Sequence, residues 1–142
     1  MAKLKHIAIS TQEPEATAEF YREVFDLQVV GKADSNDAEG YYLSDGNVNI
    51  AVLRFKNEAV AAESFRTMYS GIHHIGFQVE DASDAEAKLK RANSHPVDAV
   101  NEPLVSSSAR GSAGRNVALK YSGPDGVMID VSRRGWVGAD DD

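Results

Sequence analysis

The chain contains no cysteine. Disulfides, thiolate nucleophiles and sulfur metal sites are therefore excluded, and any bound metal must be held by His, Asp, Glu or water. No apolar run approaches the roughly 20 residues of a membrane span. The opening residues MAKLKHIAISTQEPE bring acidic side chains too early for the apolar region of a secretion signal, so a soluble, cytoplasmic protein is expected. Positive charge is scarce as well. Fifteen Lys and Arg face 22 Asp and Glu, for a net charge of −7, which argues against nucleic acid or an anionic membrane as a partner. What is present suits one compact domain: 142 residues, 42% hydrophobic and 26% charged. The closing ADDD adds acidic charge and reads as a solvated tail.

Two stretches begin alike. LKHIAISTQEP, residues 4–14, and GIHHIGFQVED, residues 71–81, each place His-Ile in a short alternating strand that runs into a polar turn and a helical pattern. In the first half Thr11 and Pro14 suit a helix start, and Ala18, Phe20, Tyr21, Val24 and Phe25 recur at helical spacing, so these aromatic residues are expected in the core. Strands follow at 26–33, 41–46 and 47–55, with Asp45-Gly46 as a hairpin signal. In the second half a helix capped by Asp81 or Ser83 is followed by strands at 96–103, 117–126 and 127–132. The order is β-α-β-β-β, twice. His6 and His74 lie 68 residues apart and the two Asp-Gly turns 80 apart. The difference falls on segment 104–116, rich in Ser, Gly and Ala, which reads as a surface loop or as a lid carrying Arg110 and Arg115.

Strand alternation sorts the histidines. Ile7, Ile9, Ile75, Phe77 and Val79 form the faces suited to lie under helices; His6 and His74 fall on the opposite faces beside Ala8, Ser10, Gly76 and Gln78. On the last strand Ile129 and Val131 go under the helix, while Met128, Asp130 and Ser132 join the histidine side. Two imidazoles and one carboxylate on one face can hold Fe, Mn, Ni or Zn and leave open positions for a substrate carbonyl. His73 points away from His74 in an extended strand, toward the helix layer or an edge, and is expected to serve structure or hydrogen bonding. His95 falls in a loop, and Trp136 is expected to close the cup or anchor the C-terminal segment.

The segments HIAI, EFYREVFDL, HHIGFQVED and YSGPDGVMIDVS resemble the vicinal oxygen chelate superfamily of glyoxalases, extradiol dioxygenases, fosfomycin-modifying enzymes and bleomycin-binding proteins. The resemblance covers nearly the whole chain and implies an α+β fold: two tandem βαβββ modules, about 3–66 and 71–135, forming a cup-shaped mixed sheet with helices on its outer face, before an acidic tail at 136–142. It assigns metal ligation to His6, His74 and Asp130, the last in place of the usual Glu, and puts Ala51 where four-ligand members carry a further ligand. Gln78, Tyr121, Met128, Arg54 and Arg110 are the expected substrate-binding residues; Tyr42 is a further candidate for the cup wall, and for both tyrosines the alternative is packing at a sheet edge. It implies a homodimer, with the cup formed within one chain or between chains. Two functions follow from it: a metal-dependent lyase or dioxygenase of glyoxalase type acting on vicinal oxygens, or a metal-free, drug-sequestering binder.

Overall fold

The computed structural model describes residues 1–62, 65–107 and 118–140, and the side chains of all of these except 103–107. Arg110 and most of segment 104–116 lie outside the described residues. Among the described residues seven strands form one mixed sheet, not closed into a barrel, in the order β2-β3-β4-β1-β5-β7-β6. The first module runs β1 Lys3–Ser10, α1 Pro14–Phe25, β2 Gln28–Asp34, β3 Ala38–Ser44 and β4 Asn49–Phe55. A short helix α2, Glu58–Ala61, follows, with Asn57 accepting at its N-cap from the Val60 amide at 2.8 Å. The second module runs β5 Gly71–Gln78, α3 Ala82–Arg91, α4 Asp98–Ser107, β6 Leu119–Ser122 and β7 Met128–Ser132, with a 3₁₀ turn at Pro124–Gly126. Among the described residues no helix is long and apolar enough to cross a membrane.

The modules repeat their pairing. β1 lies parallel to β4 and β5 parallel to β7, while β1 and β5 join the halves antiparallel. This junction carries register shifts. Ala8 pairs with His74 and Ile9 with Ile72, which leaves His73 as an extra residue in β5.

Each face of the sheet has its own packing. Leu43 and Val52 lie under Ala18 of α1, with Ile9, Tyr21, Tyr41 and Ile50 around them. The opposite face gathers Ala8, Ala51, Leu53 and Phe55 against Val60 and Ala61 of α2, with Tyr42 beside them. Val97 and Val100 at the start of α4 pack there too, on Met128, Ala62 and Phe65. The cup is thus covered by two helices on its inner side as well as flanked by α1 outside.

Three expectations change. Residues 96–103 form no strand beyond a Pro96–Tyr121 bridge, and α4 begins at Asp98. The Val97–Val100 spacing buries one side of a helix, and the Asn101 amide stands in for a missing strand: its Nδ2 donates to the Lys120 carbonyl at 2.9 Å and its Oδ1 accepts from the Lys120 amide at 2.8 Å. Phe20 and Phe25 are not core; they are 54% and 61% exposed, because Pro14 and Ala18 occupy the buried stripe of α1. The tail is not wholly solvated, since Trp136 and Ala139 are buried.

Candidate metal centre

β1, β5 and β7 deliver His6, His74 and Asp130 to one place. The three residues are 4%, 4% and 2% exposed, and one donor atom from each lies within 4.8 Å of the others. His6 Nε2 is 3.1 Å from His74 Nε2; Asp130 Oδ2 is 3.1 Å from His74 Nε2 and 3.9 Å from His6 Nε2. The register explains the meeting: Gly76 pairs with His6 on one side and with Asp130 on the other, and His74 is one pleat along the same strand.

Surrounding groups orient each donor. The Asn49 amide donates through Nδ2 to the Val137 carbonyl at 2.9 Å, so its Oδ1 faces His6 and accepts from Nδ1 at 2.8 Å. His6 Nε2 therefore carries no proton and turns its free electron pair toward His74 and Asp130. Lys120, 7% exposed, sets its Nζ 3.0 Å from Asp130 Oδ1, an ion pair lying off the hydrogen-bond direction. Oδ2 is left for the histidine side. His73 Nδ1 is 2.8 Å from His74 Nδ1, and His73 Nε2 donates to the Ala61 carbonyl at 2.6 Å.

Burial, aided by the facing His74, pushes the His6 imidazole down to about 3, against the opposing pull of Asp130 and Asn49. Burial likewise lowers His74 to about 4, with Asp130 opposing. Burial alone would raise the Asp130 carboxyl; His74, Lys120 and His6 outweigh it, and the net is well below the usual carboxylate range. At neutral pH both imidazoles are uncharged, so Lys120 is the standing cation that keeps the carboxylate ionised. Neutral imidazoles and an ionised carboxylate are the forms that ligate a metal. Two nitrogens bound to one ion at ~2.0–2.1 Å and in adjacent positions are held roughly 3 Å apart, which matches the Nε2–Nε2 spacing. The donor set fits a divalent ion.

The other sequence candidates divide. Met128 pairs beside His74 and is buried under α4 and Ala62, on the cup side. Gln78 is at the rim, where its Nε2 donates to the Arg133 carbonyl at 3.3 Å. Tyr121 is on the outer face: it pairs with Ile129, and its hydroxyl donates to Glu86 Oε1 of α3 at 3.3 Å. Arg54 alternates with Ala51 and Leu53, so it too points outward, pairing with Glu39 through Nε at 2.6 Å. Neither Tyr121 nor Arg54 lines the cup. Ala51 sits on the cup side, fully buried between Ala8 and Tyr42, and offers no ligand. His73 does not face the outer layer of α1 but the inner side, against the end of α2. The extra residue in β5 turns it to the same side as His74, between Phe55 and Phe65, while its expected hydrogen-bonding role holds.

Sequence reasoning missed Asn49, Lys120 and the contact of Trp136 with His6. Lys120 carried a signal, since Lys120 and Asp130 are equidistant from Asp125 in the hairpin and pair directly.

Comparison with known proteins agrees with this architecture. A curated relative is the ethylmalonyl-CoA/methylmalonyl-CoA epimerase of Cereibacter sphaeroides, 30% identical over 96 residues, which are 65% of this chain and 72% of the relative. Among solved structures, a hypothetical protein of Bacillus halodurans C-125 superposes with a TM-score of 0.67 at 21% identity, over 92% of each chain. A variant of Streptomyces coelicolor methylmalonyl-CoA epimerase, in complex with 2-nitronate-propionyl-CoA, superposes at 0.65 and 19% identity, over 91% of this chain and 92% of that one. Residues 3–131 match the model of one family, and the chain belongs to it: the Glyoxalase/Bleomycin resistance protein/Dioxygenase superfamily.

Proposed function

We propose that the chain is a cytoplasmic, metal-dependent enzyme of glyoxalase type, acting on a small acyl substrate with vicinal oxygens. His6, His74 and Asp130 hold the metal, one of Fe, Mn, Ni or Zn. The observation that carries this reading is the convergence of His6 Nε2, His74 Nε2 and Asp130 Oδ2 in a buried cluster whose imidazoles are neutral. The relative named for acyl-CoA epimerisation supports an acyl-CoA thioester as substrate and proton transfer at the carbon beside its carbonyl as the reaction.

A bound divalent ion supplies Lewis acidity, which polarises a carbonyl oxygen and makes a neighbouring C–H more acidic. The chain's residues do the rest. Asn49 keeps the His6 proton on Nδ1, away from the substrate side. Lys120 takes Asp130 Oδ1, which leaves Oδ2 for the metal and holds the carboxylate in one orientation. Trp136 covers His6 while α2 and α4 cover the cup, so bulk water is excluded and electrostatic terms inside are strengthened. Because the three donor residues are at most 4% exposed, a substrate reaches them only when a covering element moves. The enzyme acts as a homodimer, and the outward Phe20, Val24 and Phe25 of α1 with Val29 of β2 supply an apolar contact surface.

Two observations favour the metal-free binder as a second reading. Lys120 already provides a cation to Asp130, and Ala51 provides no fourth ligand. Exchange into deuterated water separates the two. Protein loaded with each of the four metals is incubated with methylmalonyl-CoA, and loss of the proton beside the thioester carbonyl is followed by NMR. Metal-dependent exchange that falls at least ~100-fold in Asp130→Asn supports the enzyme. Absence of exchange with every metal, together with thermal stabilisation by organic ligands alone, supports the binder.

A further inference from the structure

We propose that His73 is a positioning residue that selects which nitrogen of His74 faces the metal. The inference rests on the metal-binding reading above and concerns how the second histidine is prepared for it. In an unbroken strand His73 and His74 would point to opposite faces. The extra residue in β5 puts both on the inner face, with their Nδ1 atoms 2.8 Å apart.

Hydrogen-bond direction follows from the far end of this chain of contacts. The Ala61 carbonyl can only accept, so His73 Nε2 carries a proton and donates to it at 2.6 Å. Ala61 is the last residue of α2, where carbonyls lack helical partners, which makes the acceptor a fixture of the fold. His73 is 2% exposed and lies between the rings of Phe55 and Phe65, 4.6 and 4.8 Å away, an environment that disfavours a second proton on the ring. Its Nδ1 is then a bare acceptor. Among the described residues its partner at 2.8 Å is His74 Nδ1, which then carries the proton, and His74 Nε2 is left bare beside His6 Nε2 and Asp130 Oδ2.

The alternative tautomer would put the proton on His74 Nε2, donating to Asp130 Oδ2 at 3.1 Å. That arrangement blocks the nitrogen that must ligate and sets two bare Nδ1 atoms 2.8 Å apart. The His73 relay favours the other tautomer, in which His6 Nε2, His74 Nε2 and Asp130 Oδ2 are all bare and a cation between them relieves their mutual repulsion. Asn49 does the same for His6, so the two ligands repeat across the modules while their supports differ: a side-chain amide in one, a histidine and a helix-end carbonyl in the other.

The test uses metal-free protein first. Long-range ¹H–¹⁵N correlation of the imidazole rings should show His74 protonated at Nδ1 and bare at Nε2, with His73 protonated at Nε2. A neutral His74 protonated at Nε2 overturns the inference. Metal affinity is then measured by competition with a chromophoric chelator. His73→Phe keeps the aromatic packing and removes the acceptor, and should weaken binding about 10–100-fold. His73→Asn returns an oxygen near the Nδ1 position and should recover most of the loss. Wild-type affinity in folded His73→Phe overturns the inference; if that variant does not fold, the wild-type ring spectrum and His73→Asn decide. Should the protein bind no metal, the enzyme reading fails, and the tautomer in the metal-free spectrum still decides this one.

Discussion

The Trp136 indole lies flat on the His6 imidazole, ring centroids 4.7 Å apart and planes within 3° of parallel. Gly76 makes the contact possible. A methyl group at that position would sit 2.7 Å from two indole carbons and 2.9 Å from His6 Cβ. The C-terminal residues after β7 are thus part of the site's cover.

Gly76→Ala should therefore push the indole off His6. Overpacking of this kind costs ~1–3 kcal/mol. Chemical denaturation should show that loss. As Trp136 is the one tryptophan of the chain, a red shift in its emission should accompany it. A variant with unchanged stability and emission would contradict the stacked arrangement.

Lys120→Met should be costly in metal-free protein, because Asp130 would remain buried without its cation. Breaking a buried pair on one side costs about 3–5 kcal/mol. A divalent ion offers the carboxylate a new partner, so saturating metal should restore a larger share of stability to this variant than to wild type. Melting temperatures with and without metal measure both effects. Equal gains in the two proteins would show that Lys120 and the metal do not share Asp130.

Acid should destabilise the protein early. Burial is the first cause of the lowering in all three inner histidines: His6 to about 3, His73 and His74 to about 4. In the unfolded chain they titrate near 6.5. Below that value the unfolded state binds more protons, so stability falls as pH drops from about 6.5 toward 4, each group contributing at most ~1.4 kcal/mol per pH unit. Asp130 adds nothing in this window, since its native value is displaced below the ordinary carboxylate range and its contribution is lost only in stronger acid. Urea denaturation of metal-free protein at pH 7.5 and 5 checks the sign. Equal stability at the two pH values would mean that the imidazoles reach protons in the folded state.

Much of this site is legible in strand periodicity. Placing His6, His74 and Asp130 on one side needs only alternation within three strands, and a period of two leaves little freedom over five to eight residues. His73 was misplaced because an extra residue shows only in the pairing of β5 with β1, a relation between distant segments. Residues 96–103 suit a strand or a helix equally by apolar spacing; the Asn101 amide bonds to Lys120 belong to tertiary structure and settle it. Phe20 and Phe25 continue the helical apolar pattern, yet the sheet covers a narrower stripe than the pattern offers.

The exposed aromatic residues give the proposed homodimer its own test. Phe20→Lys together with Phe25→Lys should leave the fold intact, because both side chains are more than half exposed, and should convert a dimer to a monomer in sedimentation. Dimers that persist in the double variant would place the interface elsewhere.

The most direct test of the central claim is metal content. Protein is purified after growth with Fe, Mn, Ni and Zn and analysed by mass spectrometry, beside His6→Ala and Asp130→Asn. The account predicts about one divalent ion per wild-type chain and a marked loss in both variants. Stoichiometric absence of all four metals from folded wild-type protein, or equal metal in the His6→Ala protein, would contradict it.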